Sequence, residues 1–600
     1  MQSMGGDALW TTISCCSTTD IECFKYDSLV VMKDINKSIK GIWWSSPPGD
    51  FPEDSPNGFE GVRGFIQGKT LVGYNNHHYD DLVLIAMMDG EPQSRIKAVN
   101  DAIIGNREED VIAYKRRAVS IDTLDTMQQI DVSMPSLKQI EGNMGRSIIE
   151  SEIDFDIDRP LTEREKQQTL QYCSYDVDNT IEIYKLREKS YFQVKDTLLT
   201  MLPERSKLKN PRKLNTTTLS ADILLEKPLP KWAEMRLPDA VRNTPKVPEK
   251  VWEMWHSQER TNSLEAKDEK ITVREFGCDI TFASGGLHGV AVQGKEFSKV
   301  KLLDVGSMYP SIVVNLEALG PGTIAYNNMR MERLLLKKTD PLRANAYKLI
   351  LNCVYGNLKN KYSILCNPLA SLSVCAYGQL ALFDLSRRLY DAGYTLVNLN
   401  TDGVAFVDYK GLGSAWEEVQ GAWEETYTLK LDLDEFDRWI QKDVNNYVAV
   451  GVDGHIKVKG GDCNKYHEDK FFSNNNARII HKALVDNLLF NIPVSKTVRE
   501  HLDDPALYQY ILKAGRTYLG VVDGDGNEYQ NVNRIFATKS DTGVRLYKKR
   551  ADGGLVNFPD MPDNMLVWNG EVSDLAPTFK EVVNVSHYCK VTEKKLEGWR

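Results

Sequence analysis

Acidic side chains at short, regular spacings are the first chemistry visible in this chain. Asp20 and Glu22 form a D-x-E pair, Asp80 follows in NNHHYDDL, and Tyr172 and Asp176 form a Y-x3-D pair. A second group lies further on, with Asp304 in KLLDVGSMYPSIVV (301–314) and Asp402 in YTLVNLNTDGVAFVDY (394–409). Between them, YKLILNCVYGNLKNKYS (347–363) carries Lys348, Asn352 and Tyr355. Carboxylates grouped in this way hold divalent ions. Hydrolysing a phosphodiester with two ions ~3.5–4 Å apart takes about four of them. Hard oxygen donors suit magnesium, with manganese able to substitute, and the absence of a Cys/His cluster disfavours zinc.

The elements that must position these groups follow from periodicity. TTISCCSTTDIECF reads as a strand whose period of two sends Asp20 and Glu22 to the same side. TLVGYNNHHYDDLVLIAMM (70–88) reads as a strand, a polar turn and a helix carrying Asp80; His77 and His78 are an exposed pair in that turn. Residues 162–189 form an amphipathic helix in which Tyr172 and Asp176, four apart, share a face. Asp304 ends a strand and Asp402 sits at the tip of a hairpin. Neighbouring strands lie ~4.8 Å apart, close enough for both acids to share a metal pair. Lys348, Asn352 and Tyr355 fall at i, i+4 and i+7, one stripe of a helix. MRMERLLLKK and the TDP break before that helix predict two antiparallel helices.

Six hundred residues imply three or more domains. The 42% hydrophobic and 26% charged content is ordinary for a soluble chain. No apolar run reaches ~18 residues, so no membrane-spanning helix is expected. MQSMGGDALW lacks the pattern of a signal peptide. Ten cysteines without a CxxC pair predict reduced thiols and a cytoplasmic setting. The net charge of −10 disfavours a polyanionic partner only if charge is evenly spread. Between Arg330 and Lys361 eight Lys or Arg face two acids, a local balance of +6 suited to phosphate. Seven of the 23 prolines fall between Pro203 and Pro248, which disfavours long regular elements there. RSKLKNPRKLNTTTLS (205–220) is either a basic track for a nucleic-acid backbone or a solvated linker, and the nearby tryptophans are expected to pack.

The ordered motifs resemble those of family B DNA polymerases, phage-like in size, over roughly residues 15–460. DVGSMYPS (304–311) resembles motif A, KLILNCVYG (348–356) motif B with Cys353 for a serine, and NLNTDG (398–403) motif C. The earlier acids resemble a DEDD-type 3′–5′ exonuclease of the tyrosine subtype. The resemblance implies an α/β and α+β multidomain fold: an RNase H-like exonuclease domain (1–190), a Pro-rich connection (191–295), and a right-hand polymerase. Its palm would span 296–326 and 365–440 around two-helix fingers (327–364), with thumb and C-terminal region at 441–600.

By that resemblance Asp20, Glu22, Asp80 and Asp176 hold two magnesium ions and Tyr172 positions the attacking water. Asn75, or Asn76 by a shorter spacing, contacts the primer end, as do Ser136 and Leu137 of PSLKQI (135–140). Asp304, Asp402 and the Val305 carbonyl hold the second metal pair. Lys348 and Arg343 receive the triphosphate (Lys337 and Lys338 being alternatives to Arg343), Asn352 and Tyr355 lie near base and sugar, and Ser307, Met308 and Tyr309 complete the nucleotide site. Tyr309 is the candidate gate against a ribose 2′-OH. Gly285 and Gly286 of FASGG stand where the family has YxGG, Ala283 replacing its tyrosine, and Gly356 allows close approach of the nascent base pair. Tyr447, Lys457 and Lys459 are the expected duplex contacts, Asn445 standing at the lysine of the KxY element. The implied partners are primer–template DNA and deoxynucleoside triphosphates, acting on a monomer. Only 44 residues separate Asp304 from Lys348, which disfavours terminal-protein priming. Asn400 replaces the first acid of motif C, and Asn400→Asp is expected to leave activity similar or higher. The alternative reading is an active exonuclease with a degenerate palm that only binds DNA.

Overall fold

The first strand, CSTTDIEC, has few apolar residues yet is buried along nearly its whole length. In the computed structural model, which describes residues 16–45, 58–261, 269–467 and 470–600, the N-terminal sheet is built from Cys16–Cys23 (β1), Ser28–Asp34 (β2), Ile39–Trp44 (β3), Thr70–Gly73 (β4) and Thr123–Asp125 (β5). Its order is β3-β2-β1-β4-β5, with β2 and β3 antiparallel and β1, β4 and β5 parallel. The Asp80–Met88 helix and its two successors pack on one face, over Ile21, Val30 and Met32. On the other, Cys173, Val177 and Ile181 of the 25-residue Glu163–Arg187 helix pack over Leu29 and Val31. Helices on both faces explain why β1 is buried on both sides. The long helix begins at Thr162, whose hydroxyl accepts from the Glu165 N–H while Glu165 reaches back to the Thr162 N–H, a capping box.

The proline-rich stretch forms short helices at Thr216–Leu224 and Asp239–Arg242, then a 13-residue helix at Glu249–Thr261 once the prolines end. Of its basic residues, Lys213 binds Asp81 (2.6 Å) and Arg212 binds Asp122 (3.1 Å), so both are committed to the N-terminal unit. Trp255 is fully buried, and Trp232 and Trp252 pack against the same core.

The second sheet contains Lys270–Glu275 (β6), Cys278–Ala283 (β7), Leu287–Ala291 (β8), Glu296–Val305 (β9), Thr395–Asn400 (β10), Gly403–Val407 (β11), Leu431–Asp443 (β12), Asn446–Gly451 (β13) and Ile456–Lys459 (β14). Its order is β14-β13-β12-β9-β11-β10-β8-β7-β6, every neighbouring pair antiparallel. The expected boundary at 295/296 therefore falls inside one sheet, and that at 440/441 falls within β12. β6–β8 extend the sheet because sheet membership is set by pairing with β10, more than 100 residues away.

The Pro368–Asp391 helix lies beneath this sheet. It is long and apolar enough to cross a membrane by composition, with mean hydropathy 1.3 over its best window, yet 94% of that window is buried inside the fold. Small residues (Ala370, Ala376, Gly378, Ala381) let it pack all round, which is the character of a core helix. The predicted helix pair is Thr323–Thr339 and Pro341–Lys359. Asp340 separates the two, its carboxylate accepting from the Arg343 N–H, and Pro341 occupies the first turn of the second helix.

Residues 470–600 form a separate core with a three-stranded and a four-stranded sheet and the Arg478–Phe490 and Val585–Glu597 helices. Arg534 is fully buried there. Its guanidinium donates to Gln509 and to the carbonyls of Gly570, Gly142 and Arg146, tying this core to the N-terminal unit. The molecule is a mixed α/β multidomain protein. Cys23, Cys173, Cys278, Cys353, Cys366, Cys375, Cys463 and Cys589 are free thiols; Cys15 lies outside the described residues.

Candidate active sites

The first acid set converges at one end of the N-terminal sheet. Asp20 and Glu22 project from the same side of β1, their carboxylate oxygens and the Cys173 sulfur all within 4.8 Å of one another. Asp80 opens its helix from buried surroundings, and Asp176 faces the group from the long helix. Burial raises all four carboxyls, with Asp20 at about 7, where Asp176 adds to the rise; for Glu22 and Asp80 the Asp20 charge adds next. Asp20 Oδ2 and Asp80 Oδ1 are buried and accept no hydrogen bond. Orphaned carboxylate oxygens among clustered acids fit a divalent cation, which would supply the missing partner. Cys173 is not a suitable ligand: burial keeps its thiol neutral, and it donates to the Asp20 carbonyl (3.6 Å).

Sequence reasoning missed the cation of this site. Lys138 donates to Asp176 and to Glu141 (3.1 Å) and stands 4.6 Å from the centre of the Tyr172 ring. Its signal was present in PSLKQI, where Ser136 starts the Leu137–Asn143 helix, its N–H donating to Gln139 (3.1 Å), and so aims Lys138 inward. Leu137 packs beside Ile130 and Ile183. The turn before Asp80 separates the two asparagines. Asn76 is fully buried and donates to Asp81, whereas Asn75 is half-buried in the left-handed region (φ 59°) with its N–H on Asp125. Of the histidines, His78 is exposed, but His77 is half-buried against the Thr123 carbonyl (3.3 Å), because the turn folds back over β5.

The second acid set is built on three adjacent strands. Asp304, next to last in β9, pairs with Gly403 of β11 on one side and Asp432 of β12 on the other. Asp402 lies in the two-residue turn between β10 and β11, where its carbonyl accepts from the Val305 N–H (2.7 Å). Neither acid forms an ion pair among the described residues. Burial first, and Asp402 second, raise Asp304 to about 7; burial also raises Asp402. Both line a cavity of about 300 Å³ with Asn400, Tyr447, Lys457 and Lys459. Two uncommitted carboxylates with Asp432 in register fit a divalent cation. Asp432 could not be found from spacing, because only the β9–β12 register brings it beside Asp304.

Asn400 has a definite partner. Its amide donates to the Val444 carbonyl (2.8 Å) and to Asn445 Oδ1 (3.3 Å), bracing the hairpin against the β12–β13 turn. An aspartate would set a carboxylate against a carbonyl there, which argues against the expectation that Asn400→Asp is harmless. Tyr447 is 6% exposed and stacks on Trp439 (4.2 Å between centres), which leaves little of its ring for a ligand. Lys457 binds Asp434 (3.3 Å), and Lys459 is exposed.

Around the cleft, Tyr309 stacks on Tyr355 (4.5 Å, 6° between planes) and donates to the Gly285 carbonyl. Ser307 precedes the Met308–Asn315 helix in the left-handed region (φ 54°). Val305 and Met308 are buried, Met308 against Gly378, so both are left with main-chain groups to offer. A Cβ on Gly286 would lie 2.9 Å from Thr401 Oγ1, giving Gly286 a packing role at the hairpin turn, whereas Gly285 serves through its backbone (φ 135°). Gly356 faces open space and, like Lys348 and Asn352, is exposed.

Arg343 does not join Lys348. Five residues along a helix are about 140° of rotation, and Arg343 instead bonds Tyr347 (3.0 Å) and lies 3.7 Å from Glu332. Arg330 instead turns toward the Met308–Asn315 helix that follows Asp304. Tyr326 donates to the Leu351 carbonyl (2.8 Å), fixing which faces of the helix pair meet, and Arg330, one turn on, reaches Ser311 Oγ (3.4 Å). Arg330 was visible in the +6 cluster, but its facing was not.

No family model and no curated protein matches the chain. Among solved structures it is similar to the family B DNA polymerase from the hyperthermophilic archaeon Pyrobaculum calidifontis, at 14% identity and a TM-score of 0.37, covering 95% of this chain and 78% of that one.

Proposed function

We propose that the chain is a template-directed DNA polymerase that adds deoxynucleotides to a primer 3′ end and trims that end with a 3′–5′ exonuclease. The observation that carries the reading is the meeting of Asp304, near the end of β9, with Asp402, in the β10–β11 turn, while Arg330 of the helix pair reaches Ser311 of the helix that follows Asp304. The β3-β2-β1-β4-β5 sheet with its four acids supports an RNase H-like exonuclease. Residues 323–359 would then be the fingers, the nine-stranded sheet the palm, and 470–600 the thumb and C-terminal region, in a cytoplasmic protein.

Magnesium held by Asp304, Asp402 and the Val305 carbonyl would stabilise the attacking and leaving oxygens of an in-line displacement. Lys348 and Arg330 would bind the triphosphate as charges. Tyr309, pinned by Tyr355 and Gly285, would stand where a ribose 2′-OH enters. In the exonuclease Asp20, Glu22, Asp80 and Asp176 would hold the ions, Tyr172 would orient the attacking water, and Lys138 would position Asp176.

A 5′-labelled primer–template with magnesium tests this. Extension with deoxynucleotides and shortening without them is expected. Asp402→Ala should abolish extension and spare shortening, and Asp80→Ala should do the reverse. Asn400 and Gly403, which depart from the family pattern, favour a second reading, an exonuclease whose palm only binds DNA. Shortening in both conditions would select it.

A further inference from the structure

We propose that the cavity of about 730 Å³ between the N-terminal unit and the Thr323–Thr339 and Pro341–Lys359 helices binds an organic ammonium with an apolar or aromatic body. Its occupant would tie the helix pair to the N-terminal unit. The cavity shares no lining residue with either acid set, and Cys16, its wall on β1, lies at the opposite end of that strand from Glu22. The site therefore stands apart from both proposed activities.

The walls select an apolar body. Tyr184 and Phe192, ring centres 5.0 Å apart, come from the N-terminal unit, Leu342 and Tyr347 from the second helix of the pair, and Ile223 from the Thr216–Leu224 helix. A space of this size, apolar with a few charged groups, is the usual form of a small-molecule site. The charges select a cation. Three carboxylates line the cavity, Glu188, Asp196 and Asp340, against the two guanidinium groups of Arg212 and Arg343. Both guanidinium groups already have acids of their own outside the lining, Arg212 pairing with Asp122 (3.1 Å) and Arg343 lying 3.7 Å from Glu332. Asp340 is engaged as the helix cap, accepting from the Arg343 N–H (3.1 Å), and Glu188 meets Gln193 at 3.5 Å. Asp196 has no such partner. Its half-buried carboxylate makes no ion pair and accepts no hydrogen bond among the described residues, and the adjacent Lys195 is committed to Gln128. Burial raises the Asp196 carboxyl, and a cation beside it would offset that cost. An anionic ligand would meet three like charges, and a neutral one would leave Asp196 unpaired. An ammonium pairs with Asp196 while its hydrocarbon lies against the aromatic wall. Asp196 belongs to the Gln193–Thr200 helix and Tyr347 to the Pro341–Lys359 helix, which pack on each other, so one ligand touches both.

The test uses the full chain without nucleic acid, so its result is independent of the polymerase and exonuclease readings. The probe is 2-phenylethylamine, with 2-phenylethanol and 3-phenylpropionate as its neutral and anionic counterparts. Titration calorimetry at neutral pH should show the amine binding at least about tenfold tighter than either counterpart. Asp196→Asn, which keeps the shape, should weaken the amine about 10- to 100-fold and leave the alcohol within about twofold. Leu342→Trp, which fills the space, should abolish binding of the amine, with thermal melts reporting whether each variant is folded. Hydrogen exchange in residues 193–200 and 341–359 should slow when the amine is added to the parent, and should not change in Asp196→Asn. Equal binding of the three probes, an amine affinity unchanged in Asp196→Asn, no binding at millimolar amine, or protection confined to other segments would each overturn the site.

Discussion

Gly403 faces Asp304 across the β9–β11 register, and a Cβ at Gly403 would lie 2.9 Å from Asp304 Oδ1. Gly403 is thus the residue that makes room for the carboxylate. Gly403→Ala must push Asp304 aside, and a displacement of about 1 Å at a reacting centre costs about 10²-fold in rate. Primer extension should fall by that order while shortening of single strands stays at the parental rate. Single-turnover extension beside a degradation assay checks both.

Arg330 and Arg343 of the helix pair should behave differently. A charge-assisted contact to phosphate is worth about 1.5–3 kcal/mol, so Arg330→Ala should raise the KM for deoxynucleotide roughly 10- to 100-fold. Arg343→Ala, on the far side with Glu332 and Tyr347, should change it less than about threefold, the loss of an exposed pair. Steady-state extension at varied nucleotide concentration separates them.

Asn400 braces the β10–β11 hairpin through Val444 and Asn445. Asn400→Asp removes the donor and leaves two facing acceptors, a cost of about 1–3 kcal/mol. Extension should drop, and the thermal midpoint should fall with it. Adding Asn445→Lys supplies a cation to the new carboxylate and should recover part of both, a coupling that a double-mutant cycle measures.

Metal-free stability should decline as pH rises from about 5 to 8. Asp20 and Asp304 are each raised to about 7, so the folded chain keeps protons that the unfolded chain releases near pH 4. With more protons bound folded than unfolded, stability decreases with pH across that window. Magnesium should reverse the trend, stabilising more at pH 8 than at pH 6, because it binds the ionised form. Thermal melts in chelator and in magnesium decide it; a flat profile in chelator would count against the burial of these acids.

Much of both sites was legible in the sequence. Period two on β1 set Asp20 beside Glu22, four-residue spacing set Tyr172 beside Asp176, and the TDP break marked the helix pair. These are local rules, obeyed within one element whatever surrounds it. The sequence also carried the +6 cluster that contains Arg330 and the PSLKQI segment that contains Lys138.

Tertiary structure decided which members of those segments face a site. Arg330 rather than Arg343 turns toward the helix after Asp304 because the Tyr326–Leu351 contact fixes the rotation of one helix against the other. Asp432 stands beside Asp304, and β6–β8 join the sheet, through strand register across more than 100 residues. Lys138 meets Asp176 because the Leu137–Asn143 helix packs against the end of the long one. Helix rotation and strand register are set by packing between distant segments, and periodicity along the chain holds no record of either.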